Sequence, residues 1–283
     1  LTKKIKLYIL LIIIGIIMAF PFIWTVTSSF KPDNELFSFP PSLIIKNFTI
    51  KNYDYVLNIK GFSGYFFNSI IVSGLSVIIN VLFCSMAGYA FAHLEFKHKN
   101  FWFFLLLATM MIPIQITLIP TFLIAKNFPL IGGNNLFGYG GTGLLNTYAG
   151  LIIPHIMSAF GVFMMRQFYL QIPKELAESA RIDGASESII FFKIFFPIGK
   201  SSIAALAIFT FTQAWDDFLW PLIITNDDSM RTLQLGLEIF KSQNSADWGP
   251  LMSATTLTII PVLIIFIILQ KYFIDISISS SLK

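Results

Sequence analysis

Charge is what this 283-residue sequence has least of. Asp, Glu, Lys and Arg together make up 12% of it, where a globular domain in water carries about a quarter. So few charges cannot cover a water-facing surface without large apolar patches, which excludes a soluble chain. Cysteine is nearly absent as well. Cys84 stands alone inside an apolar run, so no intramolecular disulfide forms and a Cys-based metal site has no basis. His93, His98 and His155 are the only histidines; they lack helical metal spacing and read as juxtamembrane surface residues. Polar residues inside the apolar runs are too few for a Ser/His/Asp or Cys/His constellation. No catalytic residue, metal or cofactor is expected.

What is abundant is apolar. Hydrophobic residues make up 55% of the chain and the mean hydropathy is +0.75, so lipid is the main solvent. The net charge of +4 with a pI near 9.0 does not point to nucleic acid, because the basic residues are scattered rather than gathered in one stripe. Lys3, Lys4 and Lys6 precede the apolar run Leu7 to Trp24. That run is too long for a typical signal-peptide core and no small-x-small cleavage site follows it, so an uncleaved spanning helix is expected.

A spanning helix needs roughly 20 mainly apolar residues. Six stretches qualify: about 7–27, 66–92, 101–124, 148–168, 201–223 and 250–270. With the N-terminus inside, 12 basic and six acidic residues face the cytoplasm, a net +6, against seven and nine outside, a net −2. The excess of Lys and Arg sets the orientation, so both termini are expected in the cytoplasm. The expected fold is all-α integral membrane, with a first spanning helix over 1–30 and an extracytoplasmic loop over 31–65. A core membrane region covers 66–275, including a cytoplasmic loop over 171–200, and a cytoplasmic tail covers 276–283.

Ser76, Asn80, Cys84, Gly88 and Ala92 recur at every fourth position of the second span. Such a ridge lets helices approach closely in lipid; close packing outweighs the other reading, in which Asn80 lines a pathway. In the third span Pro113 and Pro120 flank Gln115. Proline frees a carbonyl and kinks a helix, which fits a gated pathway and ordinary membrane helices equally well.

Three short motifs lose their usual meaning in context. Gly138 to Gly143 has the spacing of a dinucleotide fingerprint but no βαβ unit around it, so a flexible loop within 126–146 is expected. Gly199-Lys200-Ser201 resembles the end of a phosphate-binding loop, yet Ile194 stands where the first glycine belongs. Asn47-Phe48-Thr49 is a glycosylation acceptor only by pattern.

The loop from Gln171 to Lys200 is the informative segment. Pro173 suits a first helical position, Glu175 suits the positive helix start, and Gly184 is placed to stop the helix. Leu176, Ala177 and Ala180 form a small apolar face. Ser186 can cap a second helix from Ile189 to Phe196, with Pro197 ending it. Local chemistry thus predicts a rigid elbow of two short helices, and it does not name what docks there.

The spacing of Glu178-Ser179-Ala180, Asp183-Gly184-Ala185 and Ile194-Phe195-Phe196-Pro197 resembles the EAA loop of bacterial ABC importer permeases. That loop is written E-A-A-x-x-x-G followed by nine residues and I-x-L-P. Ser179 and Phe196 are mild departures. Met111 to Pro120, Leu145 to Tyr148, Ile172 to Leu176, Trp215 to Leu222, Trp248-Gly249 and Gln270 to Phe273 resemble the carbohydrate branch of that family, the maltose-type inner-membrane permeases. The resemblance covers roughly 60–275; the ending Ile278 to Lys283 lacks the Gly-rich tail common in members.

This resemblance implies a type I ABC importer permease fold with six spans in the bacterial cell membrane. It implies a heterodimer with a second permease subunit, two ABC ATPase subunits and an extracytoplasmic solute-binding protein. ATPase coupling would fall to Glu175, Glu178, Ser179, Ala180, Asp183, Gly184, Ala185 and Pro197. Gln115, Asn80, Trp215, Asp216, Asp217 and Trp220 are candidates for the pathway or the outer face. For Asp216 and Asp217, an interfacial belt formed by the flanking Trp215 and Trp220 is favoured over a solute or proton pathway, with a role in receiving the binding protein. The implied function is import of a sugar or oligosaccharide. The alternatives are glycerol-phosphate or another small polar solute, or a secondary transporter, for which the internal repeats and buried ionisable groups are not evident.

Overall fold

The structure, a computed structural model, describes residues 2–240 and 247–281, with side chains from Lys4 to Phe240 and from Asp247 to Tyr272. Lys241 and the tail residues Leu282 and Lys283 lie outside the described residues. The elements run α1 (Thr2–Ser29), α2 (Asp33–Leu36), α3 (Lys51–Asn58), α4 (Phe62–His93), α5 (Lys99–Thr109), α6 (Ile114–Lys126), α7 (Tyr148–Ile152) and α8 (Ala159–Tyr169). They continue as α9 (Glu175–Ile182), α10 (Glu187–Ile190), α11 (Phe196–Ile198), α12 (Lys200–Trp215), α13 (Leu219–Ile224), α14 (Leu233–Gly236) and α15 (Trp248–Ser281). No strand occurs among the described residues.

Three segments are long and apolar enough to cross a membrane unbroken: Lys4–Ser29, Phe62–His93 and Trp248–Tyr272. Three more candidates are bent pairs. The bend is 102° between α5 and α6, 47° between Tyr148–His155 and α8, and 80° between Glu187–Ile198 and α12. The stretches expected over 101–124 and 148–168 are broken at their prolines, and that over 201–223 is interrupted separately, between α12 and α13, each for a chemical cause. Pro113 stands at the first break in an extended conformation, where it offers no N–H. Pro154 falls in a 3-10 turn at the second, after which Ser158 caps α8 by accepting from Gly161 N at 3.1 Å. The last candidate stops at Trp215 because the Asp217 side chain accepts the Trp220 N–H at 3.2 Å, starting α13 afresh.

The chain divides into two compact units, residues 1–63 with 235–261 and residues 64–234 with 262–283. In the first, the end of α1 is tied to α3 and α15. Ser29 Oγ lies 2.7 Å from Tyr53 Oη, the Asn52 amide donates to Lys31 O at 2.9 Å, and Ser253 Oγ donates to Ser29 O at 3.1 Å. The Glu35 carboxylate accepts from Lys46 N at 2.7 Å and Asn47 N at 3.0 Å, folding the segment after α2 back on itself.

In the second unit α4 is the central packing helix. Ser76, Asn80, Cys84 and Ala92 of its ridge are all buried. At Gly88 an added Cβ would lie 2.6 Å from Met165 Cβ and 2.8 Å from Arg166 N, so α4 and α8 meet where only glycine fits. Gly161 answers from α8, where an added Cβ would lie 2.8 Å from Cys84 Sγ. Close packing is thus what the ridge does.

The glycine-rich segment 126–146 departs from the flexible loop expected of it. Buried Asn134 donates to Lys126 O at 2.9 Å and Phe128 O at 3.0 Å, and accepts from Gly141 N at 2.8 Å. The glycines supply the positive φ that this pinned path needs, +81° at Gly138 and +102° at Gly140.

Candidate functional site

The elbow forms as its residues predict. Gly184 has φ +82°; its N–H reaches Arg181 O at 3.0 Å, and Ala185 N reaches Ala180 O at 3.0 Å. These two bonds are the paired closure of a Schellman stop, which satisfies carbonyls that the helix end would otherwise leave open. Ala177, 1% exposed, anchors α9 in a core that includes Tyr89, Met165, Ile190 and Phe195, and Ala180 packs on its edge. Leu176 is exposed, so the inward face is narrower than expected. Outward point Glu175, Glu178, Ser179 and Ile182, spaced three and four apart on one helix face. Ile182 is 86% exposed, a large apolar group without cover among the described residues.

After the turn the chain differs from expectation. Ser186 stands at the N-cap without a side-chain cap bond, and α10 passes into a π turn over Phe191–Phe195. Pro197 does not end this helix: it lies in the first turn of α11, and the 80° bend comes at Gly199. A proline crowds the carbonyl four residues back, and a π turn placed just before it changes the helical register there.

Sequence reasoning missed what holds the elbow. Glu187 accepts from Arg181 Nε at 2.6 Å and Nη2 at 3.3 Å, and its Oε2 accepts from Tyr89 Oη at 2.7 Å. Tyr89 and His93 pack on Phe195 with ring centroids 4.9 and 4.5 Å away, and the His93 ring nitrogen lies 2.8 Å from Tyr169 O. His93 is therefore buried, not a surface residue; the aromatic neighbours that bury it are distant in sequence. The available signal was an acid six residues after a base across a glycine.

A second constellation surrounds a cavity of about 640 Å³ lined by residues of α6, α12, α13 and the segments between them. Gln115, Asp216, Asp217 and Trp220 are among its walls, joined by His155 and Gln213. His155 Nε2 lies 3.2 Å from Asp217 Oδ2, and Gln234 Nε2 donates to Asp216 Oδ1 at 3.2 Å. His155 is thereby a half-buried cavity group, a further correction to the surface reading. Asn80 and Trp215 are not in these walls. Asn80 is buried, donating to His155 O at 2.8 Å and accepting from Thr210 Oγ1 at 3.1 Å. Trp215 and Trp220 are 1% and 4% exposed. The first stacks on Phe211, and the second donates to Gly150 O at 2.9 Å. Rings so enclosed do not form the interfacial belt expected of them. The walls contain two carboxylates and no Lys or Arg.

Residues 81–275 match the family described as binding-protein-dependent transport system inner membrane component. The chain is 36% identical to the arabinooligosaccharides transport system permease protein AraQ of Halalkalibacterium halodurans, covering 92% of this chain and 90% of that one. It is 29% identical to the sn-glycerol-3-phosphate transport system permease protein UgpE of Yersinia enterocolitica, covering 94% and 93%. Its fold matches a chain from the crystal structure of a bacterial ABC transporter involved in import of the acidic polysaccharide alginate, with a TM-score of 0.79 at 22% identity over 96% of each chain. The chain belongs to the binding-protein-dependent transport system inner membrane components, the multi-pass permeases of bacterial ABC importers.

Proposed function

We propose that this chain is one of two different permease subunits of an ATP-driven importer for a neutral sugar or oligosaccharide, and that α9 is its coupling helix. The observation that carries the reading is the outward face of Glu175, Glu178, Ser179 and Ile182 on an elbow whose inward face is locked into the core. A helix held this way transmits displacement as a rigid body, so closure of a docked pair of ATPase subunits biases the permease between two states. Glu178 anchors α9 to the ATPase by polar contact, with Asp183, Gly184 and Ala185 setting its end. Three unbroken helices, the bent pairs α5–α6 and Tyr148–His155 with α8, and α12 continued by α13 make six spans, with both termini and the 171–200 loop in the cytoplasm in line with the Lys and Arg excess. An extracytoplasmic binding protein delivers the solute from the other side.

The cavity beside Asp216 and Asp217 is this subunit's share of the pathway. Gln115, Gln213 and Asp216 are exposed on the isolated chain among apolar helices. Polar groups facing lipid are costly, so they face water or the partner permease. Amides and carboxylates without a cation suit hydroxyl-rich neutral solutes, which favours an arabinooligosaccharide-like substrate over glycerol phosphate.

The test is uptake of neutral oligosaccharide into proteoliposomes holding both permeases, the ATPase and the binding protein. ATP-dependent accumulation that Glu178→Lys abolishes, with loss of ATPase association, is expected. Accumulation that persists without any ATPase subunit would overturn the reading.

A further inference from the structure

At the junction of α4 and α5 lies a second cavity, of about 590 Å³, lined by Phe91, Glu95, Lys99, Phe101, Arg166 and Lys174 among others. Three cations converge there against one acid: Lys99 pairs with Glu95 at 3.6 Å, the Glu95 side chain being 86% exposed, while Arg166 and Lys174 have no acidic partner among the described residues. The ordinary explanation for cations at this point is that they satisfy the last carbonyls of α4. Lys99 does so, with Nζ 3.5 Å from Ala92 O and 2.7 Å from Leu94 O just beyond the helix end. Arg166 does so only in part: its Nε donates to Phe91 O at 3.2 Å while the guanidinium lies over the Phe103 ring at 4.1 Å. The two terminal nitrogens of Arg166 and the ammonium of Lys174 have no hydrogen bond among the described residues. Helix α5 also starts here behind His98, which has φ +59° and gives no side-chain cap. In its first turn the Lys99 N–H is taken by Phe96 O at 3.3 Å and that of Trp102 by His98 O at 3.1 Å, which leaves the N–H groups of Asn100 and Phe101 as open donors.

We propose that this cavity holds the phosphate of an anionic membrane lipid. A guanidinium with two free nitrogens matches the paired oxygens of a phosphate. Trp102, 51% exposed, lies in the first turn of α5, and exposed tryptophans mark the headgroup level of a bilayer. Basic pockets between spanning helices on the cytoplasmic side hold acidic headgroups. Lys174 is the residue just before α9, so an occupied site ties the coupling elbow to the membrane surface. The assignment rests on the cytoplasmic placement proposed above for this end of α4.

The test uses the complete purified importer in vesicles of phosphatidylcholine alone or mixed with phosphatidylglycerol, with bound lipid read by native mass spectrometry. Phosphatidylglycerol should be retained over phosphatidylcholine, and Lys174→Gln should weaken its retention about fivefold, the effect of one cation near a charged surface. Arg166→Gln should do so at least as strongly. If that variant fails to assemble, Lys174→Gln still decides, because Lys174 has no hydrogen bond in the fold to lose. Equal retention of both lipids, or retention indifferent to Lys174→Gln, would overturn the proposal. Displacement of phosphatidylglycerol by inorganic phosphate alone would overturn the lipid identity and point to free phosphate. Labelling Lys97→Cys with an impermeant maleimide reports sidedness separately, so an error in orientation is distinguishable from an error about the ligand.

Discussion

Arg181 and Glu187 clasp each other across Gly184, with Nε to Oε1 at 2.6 Å and Nη2 to Oε2 at 3.3 Å. The pair spans the turn between α9 and α10, and Tyr89 fixes Glu187 to α4 from the other side. Both charged side chains are more than a third exposed, so the pair alone contributes about 0.2–1 kcal/mol. Its importance is geometric: it sets the angle at which α9 leaves the core. Glu187→Gln is expected to raise the ATP hydrolysed per solute imported severalfold while the complex still assembles. Exchanging the charges, Arg181→Glu with Glu187→Arg, should recover part of the coupling. An unchanged ratio in Glu187→Gln would show that the clasp plays no part.

Gly184 is the hinge point of that clasp. Its φ of +82° disfavours any residue with a Cβ, although nothing lies within 4 Å of where one would be. The cost is therefore backbone strain of about 1–2 kcal/mol, not collision. Gly184→Val should weaken ATPase association and uptake together, and Gly184→Asn should be the milder change. Co-purification of the ATPase with each variant measures this.

Gly88 and Gly74 lie on the same helix and predict opposite outcomes. A Cβ at Gly88 meets Met165 and the Arg166 backbone under 3 Å, while one at Gly74 meets nothing within 4 Å. Gly88→Ala should destabilise by about 1–3 kcal/mol through overpacking. Gly74→Ala should be neutral or stabilising by up to about 1 kcal/mol. Thermal unfolding in detergent compares them, and equal midpoints would contradict the close approach of α4 and α8.

Gln213 and Gln115 offer amides to the cavity by Asp216 and Asp217. Each hydrogen bond to a neutral solute contributes about 0.5–1.5 kcal/mol. Gln213→Leu should therefore lower apparent solute affinity by roughly three- to tenfold and leave ATPase activity stimulated by the binding protein intact. Loss of both activities together would point to folding instead.

Glu35 carries a pH dependence. The Lys46 N–H, with that of Asn47 and nearby lysines, holds its carboxyl below the ordinary value of 4.5 against the opposing effect of burial. A depressed folded value means the stabilisation is fully present above the ordinary value and is lost as pH falls through the lowered one. Protease protection of the segment 31–50 should be constant from neutral pH down to the ordinary value and be lost only at lower pH, as the carboxylate takes up its proton. Glu35→Gln should abolish that pH step.

Six apolar stretches, the Lys and Arg asymmetry, the Gly184 stop and the spaced match from Glu178 to Pro197 were legible in the sequence. Each depends on a residue's own chemistry and its near neighbours: transfer to lipid, a proline's missing donor, a glycine's free φ. The spaced motif was enough to point to the family. What only the tertiary structure decided lies between residues far apart in the chain. Glu187 became a clasp because α4 brings Tyr89 to it, and His93 became a core residue because Phe195 folds over it. Trp215 and Trp220 turned inward because Phe211 and the Gly150 carbonyl were there to receive them. The prolines announced a kink in the third span, but how sharply each span bends was decided for the same reason. In lipid every freed backbone group must find a partner, and where that partner stands is settled by packing.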